Sequence, residues 1–157
     1  MDYRRSHTCG ELTETNEHQT VRLSGWVHRR RDHGGLIFVD LRDRFGLTQV
    51  VFDPESGLGA ATMEHADKLR NEDVLAVEGK VRVRVGGENP KLATGKVEVV
   101  VTRLDVLAKT DNPPFLPDET QKLPNEELRL THRYIDLRRP GMQKILATRA
   151  PAASWPR

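Results

Sequence analysis

Hydrophobic and polar residues alternate along several short stretches of the chain, which is the pattern of β-strands with one buried face. A first strand is predicted over residues 21–28 and runs on into three arginines. A turn follows at residues 32–35, because paired glycines adopt positive φ at little cost. Residues 36–43 (LIFVDLRD) predict a second strand with two different faces. Its predicted inward side chains are Ile37, Val39 and Leu41, and its outward ones are Phe38, Asp40 and Arg42.

Three further strands follow the same pattern. Residues 47–53 (LTQVVFD) predict a third strand, residues 74–85 (VLAVEGKVRVRV) a fourth, and residues 96–106 a fifth after a Gly- and Pro-rich loop. The predicted inward side chains are Leu75, Val77, Val81, Val83 and Val85 in the fourth strand, and Val97, Val99 and Val101 in the fifth. The predicted outward ones are Glu78, Lys80, Arg82, Arg84, Lys96 and Glu98. Gly79 predicts a bend or bulge within the fourth strand.

One helix interrupts this series of strands. Residues 60–72 (AATMEHADKLRNE) bring Met63, Ala66 and Leu69 near one stripe at helical spacing. The order is therefore three strands, a helix and two strands. It predicts an all-β fold, the five-stranded Greek-key barrel called the OB-fold, with its helix between strands 3 and 4. Closure of the barrel would also protect the edges of the valine-rich strands.

The composition changes after Lys109, where five prolines occur within about thirty residues. Such a segment cannot lie inside a sheet and is predicted to be a hinge. Short helices are expected at residues 125–137 and after Pro140, the second ending at Pro151. The predicted organisation is a barrel over residues 1–109, a Pro-rich hinge over 110–141, and the start of a further domain with a divergent tail over 142–157.

Composition narrows the class of protein. The chain has 157 residues, a formal net charge of +2 and a single cysteine, Cys9, so no internal disulfide is possible. The N-terminal segment has no apolar signal region, and no apolar run approaches the roughly 20 residues that span a bilayer. We expect a cytoplasmic protein that does not contact a membrane. The small net charge favours no partner by itself, so the clustering of charge matters more.

Basic residues cluster on the strand–turn–strand at residues 29–42, where Phe38 lies on the polar face. Arginines beside an outward aromatic ring are typical of single-stranded nucleic-acid binding, which combines a charged groove with a stacking platform. The alternative is a solvated hairpin in which the arginines pair with Asp32, Asp40 and Asp43. A second polar set, Gln49, Arg82, Arg84 and Glu98, indicates base-edge and phosphate contacts, or ordinary cross-strand charge pairs.

A catalytic or metal site is the third possibility. His28, Asp32 and His33 could serve in acid–base chemistry or bind a metal, and His7 with Cys9 could bind a metal. Neither group is a complete ligand set, because the chain has no CxxC, no HExxH and no second cysteine. It also lacks the GxxxxGK[ST] and GxSxG patterns. No catalytic residue and no metal site are therefore predicted.

Three separated blocks follow the order and spacing of one known family: SGWVHRRRDHGGLIFVDLRDRFGLTQVVFDP, ATGKVEVVV and RYIDLRRPGMQKIL. They resemble the N-terminal part of bacterial aspartyl-tRNA synthetases, class II enzymes whose N-terminal barrel binds the tRNA anticodon. The resemblance covers about residues 1–150. It implies that Phe38 stacks on the central anticodon base, a uridine, that Arg31 and Gln49 contact the same base, and that Glu98 reads the first base. The remaining residues expected near the bases or backbone are Arg29, His33, Arg82, Arg84 and Asn89.

The resemblance also carries expectations about partners. The RDHGG turn resembles family members that charge both aspartate and asparagine tRNA, whose anticodons differ only in the third base. Family members have a catalytic domain that uses ATP and Mg²⁺ and forms a homodimer. This chain stops near the start of that domain, so we expect it to bind tRNA as a monomer, with no cofactor and no aminoacylation of its own. The alternative function is an OB-fold module that binds single strands without regard to sequence.

Overall fold

The computed structural model describes residues 3–118 and 122–154. The chain divides into two compact units, Met1–Asp111 and Asn112–Arg157. Among the described residues, no helix is long and apolar enough to cross a membrane.

Five strands, one α-helix and two short 3-10 helices (Glu14–Asn16 and Pro54–Ser56) make up the described part of the first unit. The strands are β1 (Thr20–His33), β2 (Leu36–Arg42), β3 (Leu47–Phe52), β4 (Val74–Val83) and β5 (Val97–Ala108), and helix α1 (Ala60–Asp67) lies between β3 and β4. They close into a barrel in the order β1-β2-β3-β5-β4. The contact between β3 and β5 is parallel and the other four are antiparallel. This confirms the predicted five-stranded barrel and the place of its helix.

The core lies inside the barrel and follows the predicted alternation. Fully buried side chains come from every strand: Val21, Leu23, Val27, Val39, Leu41, Val50, Phe52, Leu75, Val77, Val81, Val97, Val99 and Val101. Ala66 of helix α1 joins the same cluster, as do Leu58 just before the helix and Leu69 just after it. Each buried side chain of this size contributes about 1.5–3 kcal/mol relative to an exposed one, so the core holds the barrel without a disulfide.

The barrel ends earlier than the alternation of β4 predicts. Val83 and Val85 were expected to face inward, but they are 43% and 83% exposed. The strand stops at Val83, so side chains beyond it have no opposite wall to pack against. Glu98 was expected to face solvent, but it is only 3% exposed, because Gln49 and Arg82 cover its carboxylate.

Helix α1 is also shorter than predicted, since it ends at Asp67 rather than at residue 72. The backbone that follows the helix is hydrogen-bonded to strand β1 of the barrel. The Glu72 N–H donates to the Val27 carbonyl, and the Val27 N–H donates to the Asp73 carbonyl. Glu72 adopts a left-handed φ of 71°, which no helix permits.

Besides a register shift at the start of β4, between Val74 and Leu75, two more occur in the barrel wall. One lies between Glu78 and Gly79 of β4, where β5 contributes the extra residue Thr102, and it confirms the irregularity predicted at Gly79. The other lies in β1, where Val27 pairs with Leu41 and Arg29 with Asp40, which leaves His28 as the extra residue. This second bulge was not predicted, and it decides which arginines reach the outer face.

Over residues 112–118 and 122–154, the second unit contains three helices, α2 (Glu126–Thr131), α3 (Arg133–Asp136) and α4 (Pro140–Ser154). The prediction that Pro151 ends the last helix is wrong, because α4 continues through it to Ser154. Pro151 removes one backbone hydrogen bond, but residues 144–154 are exposed, so water can reach the carbonyl left without its partner. Asp136 is fully buried and forms ion pairs with Arg133 and Arg139 at 2.6 and 2.7 Å.

We predict that Gly79→Ala destabilises the barrel by about 1–3 kcal/mol, the usual cost of overpacking. A Cβ at this position would lie 2.3 Å from the Val100 carbonyl oxygen and 2.7 Å from Val99 Cγ1. Denaturant unfolding of both proteins measures the difference. Gly86→Ala is the matched control, since a Cβ there meets no atom within 4 Å. Equal stability of the two variants would contradict the close approach at Gly79.

Candidate nucleic-acid interface

The bulge at His28 places alternate residues of the arginine run on the outer face of the barrel. Directly opposite residues of an antiparallel pair share a face. Arg29 lies opposite Asp40, Arg31 opposite Phe38, and His33 opposite Leu36. Arg30 therefore points the other way, where its guanidinium donates to Asp67 and to the Ala66 carbonyl of helix α1.

A cavity of about 490 Å³ opens on this outer face. All five strands contribute to it: the end of β1, the start of β2, the outer sides of β3 and β5, and the end of β4 with the loop that follows. We call it the outer-face pocket. Its lining residues are Arg31, His33, Leu36, Phe38, Gln49, Asp53, Arg82, Arg84, Val85, Gly86 and Glu98.

Gln49 is the centre of a polar network in this pocket and is only 3% exposed. Its Oε1 accepts hydrogen bonds from Arg84 Nη2 at 2.6 Å and from Arg31 Nη2 at 3.2 Å. Its Nε2 donates to Glu98 Oε2 at 2.7 Å. The amide of Gln49 is therefore held in one orientation, with each of its two ends engaged by charged groups.

Charged groups extend the network on both sides. Arg31 Nη2 donates to Asp40 Oδ1 at 2.6 Å, and Arg82 Nε donates to Glu98 Oε1 at 2.7 Å. Three guanidinium groups thus face two carboxylates, which leaves the network with one excess positive charge. Two buried donors, Arg31 Nε and Arg84 Nη1, have no acceptor among the residues that the structure describes. Buried donors without acceptors are costly, so the network favours an added ligand that supplies oxygen or ring-nitrogen acceptors.

An aromatic surface adjoins the network. Phe38 is partly exposed, and the ring of His33 meets it edge to face, with centroids 5.7 Å apart and planes at 71°. A flat ring beside arginines offers a base a stacking partner together with nearby hydrogen-bond donors. The pocket can therefore take a planar ligand that carries hydrogen-bond acceptors.

Most of the predicted site residues meet in this pocket. Seven of the nine line it: Arg31, His33, Phe38, Gln49, Arg82, Arg84 and Glu98. Arg29 is exposed on the same face but does not line the cavity. Asn89 lies in the loop between β4 and β5, where its backbone N–H donates to the Gly95 carbonyl and its Oδ1 accepts from the Lys91 N–H.

The alternative of charge pairing also holds within the pocket, where Arg31 pairs with Asp40 at 2.6 Å and Arg82 pairs with Glu98, its cross-strand partner, at 2.7 Å. Solvated pairing describes Arg30, which lies 3.8 Å from Asp32, while Asp43 pairs with Arg5 rather than with the arginine run. His28 hydrogen-bonds Arg42, and the Asp32 carboxylate accepts from the Gly35 N–H. Within residues 3–118 and 122–154, no three His, Cys, Asp or Glu side chains are grouped to hold a metal.

The lone cysteine is part of the core. Cys9 is fully buried, and burial together with the nearby Asp43 carboxylate raises the pKa of its thiol above the ordinary value. A thiol in this state is a poor nucleophile and a poor metal ligand.

Four residues that line the pocket were not predicted as site residues, and the role of a fifth residue, Asp40, was predicted only in part. Leu36, Asp53, Val85 and Gly86 line the pocket, and Val85 had been assigned to the core. Asp40 holds Arg31 in place but had been treated only as a charge that could neutralise it. The alternation of β2, which puts Asp40 beside Phe38, was the signal that could have identified its role.

Comparisons with known proteins point to one family. Residues 21–107, more than half of the chain, match the model of the tRNA anticodon family, described as an OB-fold nucleic acid binding domain. The chain is 54% identical over 153 residues to the aspartate–tRNA(Asp/Asn) ligase of Protochlamydia amoebophila, covering 97% of this chain and 25% of that protein. It is 54% identical over 146 residues to the ligase of the same name from Moorella thermoacetica, covering 92% and 24%.

A solved structure shares the fold at lower identity. Asparaginyl-tRNA synthetase from Pyrococcus horikoshii, complexed with asparaginyl-adenylate, is 30% identical and superposes with a TM-score of 0.72 over 85% of this chain and 29% of that chain. The chain thus spans about a quarter of the length of the curated relatives it matches. It belongs to the family of tRNA-anticodon OB-fold nucleic acid binding domains, in the form carried by aspartyl-tRNA synthetases.

Proposed function

We propose that this chain recognises the anticodon of aspartate tRNA in the outer-face pocket. The observation that carries the proposal is the fixed amide of Gln49 beside the partly exposed ring of Phe38. A preorganised amide and its arginines can select among bases, because their hydrogen-bonding groups need no reorganisation on binding. The aromatic ring adds affinity for any base, since stacking is tolerant of sequence.

The assignment of bases is the one that the resemblance to aspartyl-tRNA synthetases implies, and the chemistry of each side chain is consistent with it. Phe38 stacks on the central uridine, and Arg31 donates to one of its carbonyl oxygens, with Gln49 completing the contact. Glu98 accepts from the N–H groups of the guanine at the first position. Its carboxylate has about four acceptor sites, and the bonds from Arg82 and Gln49 use two of them. Arg29, Arg84 and Asn89 are assigned to the sugar–phosphate backbone of the anticodon loop.

We further propose that asparagine tRNA is accepted as well. Two relatives at 54% identity are named aspartate–tRNA(Asp/Asn) ligases. His33 packs edge-on against Phe38 at the mouth of the pocket, where the third anticodon base would lie. An imidazole can both donate and accept a hydrogen bond, so it suits either cytosine or uracil there.

In the parent enzyme, which attaches aspartate to tRNA with ATP and Mg²⁺, this chain would supply binding and the remainder of the enzyme would supply the chemistry. The place of action is then the cytoplasm, where the tRNA is. The isolated chain would act as a monomeric tRNA-binding module.

Phe38→Ala should weaken binding of a stem-loop with a GUC anticodon by about 1–3 kcal/mol, the value of one base–aromatic stack. Titration at a fixed, stated salt concentration measures it. Tyr134→Ala is the control, because Tyr134 is an exposed aromatic residue (67%) in the second unit. Unchanged affinity of Phe38→Ala would refute the stacking role. A different outcome would favour a binder that tolerates any sequence. In that case the unaltered chain binds every anticodon stem-loop and poly-U with equal affinity, and Phe38→Ala weakens all of these complexes equally.

Glu98→Gln should reduce the preference for guanine at the first anticodon position by about 1–3 kcal/mol, the value of one bidentate base contact. The amide keeps the shape of the carboxylate but replaces one acceptor oxygen with a donor. The measurement compares stem-loops carrying guanine or adenine at that position. Thermal unfolding must accompany it, since Glu98 also pairs with Arg82. A folded variant with unchanged preference would assign guanine recognition elsewhere.

His33→Leu should weaken the binding of asparagine tRNA more than that of aspartate tRNA. Leucine removes the hydrogen-bonding groups of the imidazole while it keeps an apolar contact with Phe38. Paired titrations of the two tRNAs with both proteins test the difference. The same ratio of affinities in both proteins would exclude His33 as the cause of dual recognition.

A further inference from the structure

The turn between β2 and β3 is held rigidly by one carboxylate. Asp43 accepts backbone hydrogen bonds from Cys9, Phe45 and Gly46, at 3.0, 2.7 and 3.1 Å, and one from Arg5 Nη1 at 3.3 Å. Its side chain is only 4% exposed. Gly10 and Gly46 also pack so closely that a Cβ on Gly46 would lie 2.7 Å from Gly10 Cα. The turn is therefore fixed in position, although it lies on the surface.

This rigid turn presents an aromatic ring that the core does not use. Phe45 is 49% exposed. The guanidinium carbons of Arg44 and Arg5 lie over its ring, 4.5 and 5.4 Å from the centroid. A guanidinium stacked on a ring keeps its N–H groups at the edge of the stack, where they can donate to an anion. Stacking also restricts two long side chains before any ligand arrives, which lowers the entropic cost of binding.

The charge at this turn is not neutralised. Arg5 pairs with the enclosed carboxylate of Asp43. Arg44 is exposed, and it forms no ion pair with any carboxylate in the part of the chain that the structure describes. The turn therefore carries about one excess positive charge on preoriented donors. Two guanidinium groups already lie over the ring, so a base could stack there only by displacing one, whereas an oxyanion displaces nothing.

The turn is also separate from the outer-face pocket. Arg42, at the end of β2, is four residue steps along the extended strand from Phe38, about 14 Å at the usual rise, and Phe45 lies beyond that end. Nucleotides that reach Phe45 must then be different from the one that stacks on Phe38. The two sites share β2 and its turn, so their spacing is fixed by the fold.

We propose that Arg44 and Arg5, stacked on Phe45, form a second RNA contact that binds a backbone phosphate outside the anticodon bases. The inference rests on the proposed function for the identity of the ligand as tRNA. The contact supplies affinity without sequence preference, because a phosphate is the same at every nucleotide. The outer-face pocket thus selects the anticodon bases, and the turn adds affinity for any RNA backbone.

The test is a salt titration of intact aspartate tRNA against four proteins: the unaltered chain, Arg44→Gln, Phe38→Ala and Lys68→Gln. Arg44→Gln should weaken binding about two- to fivefold at low salt, the size of an exposed ion pair. It should also reduce the slope of log affinity against log salt by about 1, as expected for one lost phosphate contact. Preference for GUC over an anticodon with a changed central base should remain. Lys68→Gln removes one exposed charge just after helix α1 and controls for net charge.

A second variant checks that the ring orients the arginine. Phe45→Ala should weaken tRNA binding by a similar factor, and adding Arg44→Gln to it should cost less than Arg44→Gln costs alone. Thermal unfolding confirms that both variants are folded. Additive losses would show that Arg44 acts without the ring and would overturn the stacked contact.

The outcomes separate this inference from the proposed function. If Phe38→Ala loses selectivity while Arg44→Gln and Lys68→Gln keep the same slope as the unaltered chain, the second contact is overturned and the anticodon site stands. If Arg44→Gln lowers the slope while Phe38→Ala changes nothing, the phosphate contact stands and the anticodon site fails. A chain that binds no tRNA at low salt would overturn both.

Discussion

Strand β1 closes the barrel, and the rest of the structure depends on how it does so. Residues 20–26 of β1 pair with β4, and residues 26–33 pair with β2, so a single strand forms both sides of the seam. A strand that changes partners must twist and bend, and the bulge at His28 lies directly after the change. The bulge also inverts the faces of everything that follows. A regular strand would have turned Arg29 and Arg31 toward the barrel interior, where unpaired charges are very costly. Closure of the barrel and placement of Arg29 and Arg31 on the outer face therefore have one cause.

Burial of Gln49 is the second constraint, and it explains why the pocket is ordered before a ligand arrives. A buried amide is tolerated only when its groups are hydrogen-bonded. Here the partners are charged, so the same bonds that satisfy the amide also fix Arg31, Arg84 and Glu98. Such networks hold one arrangement firmly when they are nearly complete. The two arginine nitrogens without acceptors are the part that remains incomplete, and they lie on residues that line the cavity.

Much of the fold was predictable because the alternation of hydrophobic and polar residues within each strand indicates which of its faces is buried. The alternation in β2, and in β4 as far as Val81, gave the correct faces, and Gly79 marked the correct irregularity. The predictions that were wrong concern residues whose environment depends on partners distant in the sequence. Nothing between residues 21 and 33 indicates the bulge, since it arises from pairing with two other strands. Val85 alternates correctly but has no wall opposite it, and Glu98 is buried only because Gln49 and Arg82 cover it. The site residues were identifiable as residues that share a face, whereas their hydrogen-bond partners were not.

The arginines of the outer-face pocket and those of the turn after β2 are held in different ways. Arg31, Arg82 and Arg84 are held in the pocket by hydrogen bonds to carboxylate or amide oxygens, which direct particular N–H groups toward particular positions. In that arrangement, acceptors within the protein neutralise much of the arginines' charge, and the fixed N–H groups suit discrimination between bases. Arg44 is held by the face of a ring, which leaves its charge and all of its N–H groups for a ligand. That arrangement suits a phosphate, whose recognition needs charge rather than a base-specific pattern of donors. The way each guanidinium is held, rather than the number of basic residues, therefore determines what each part of this nearly neutral surface can bind.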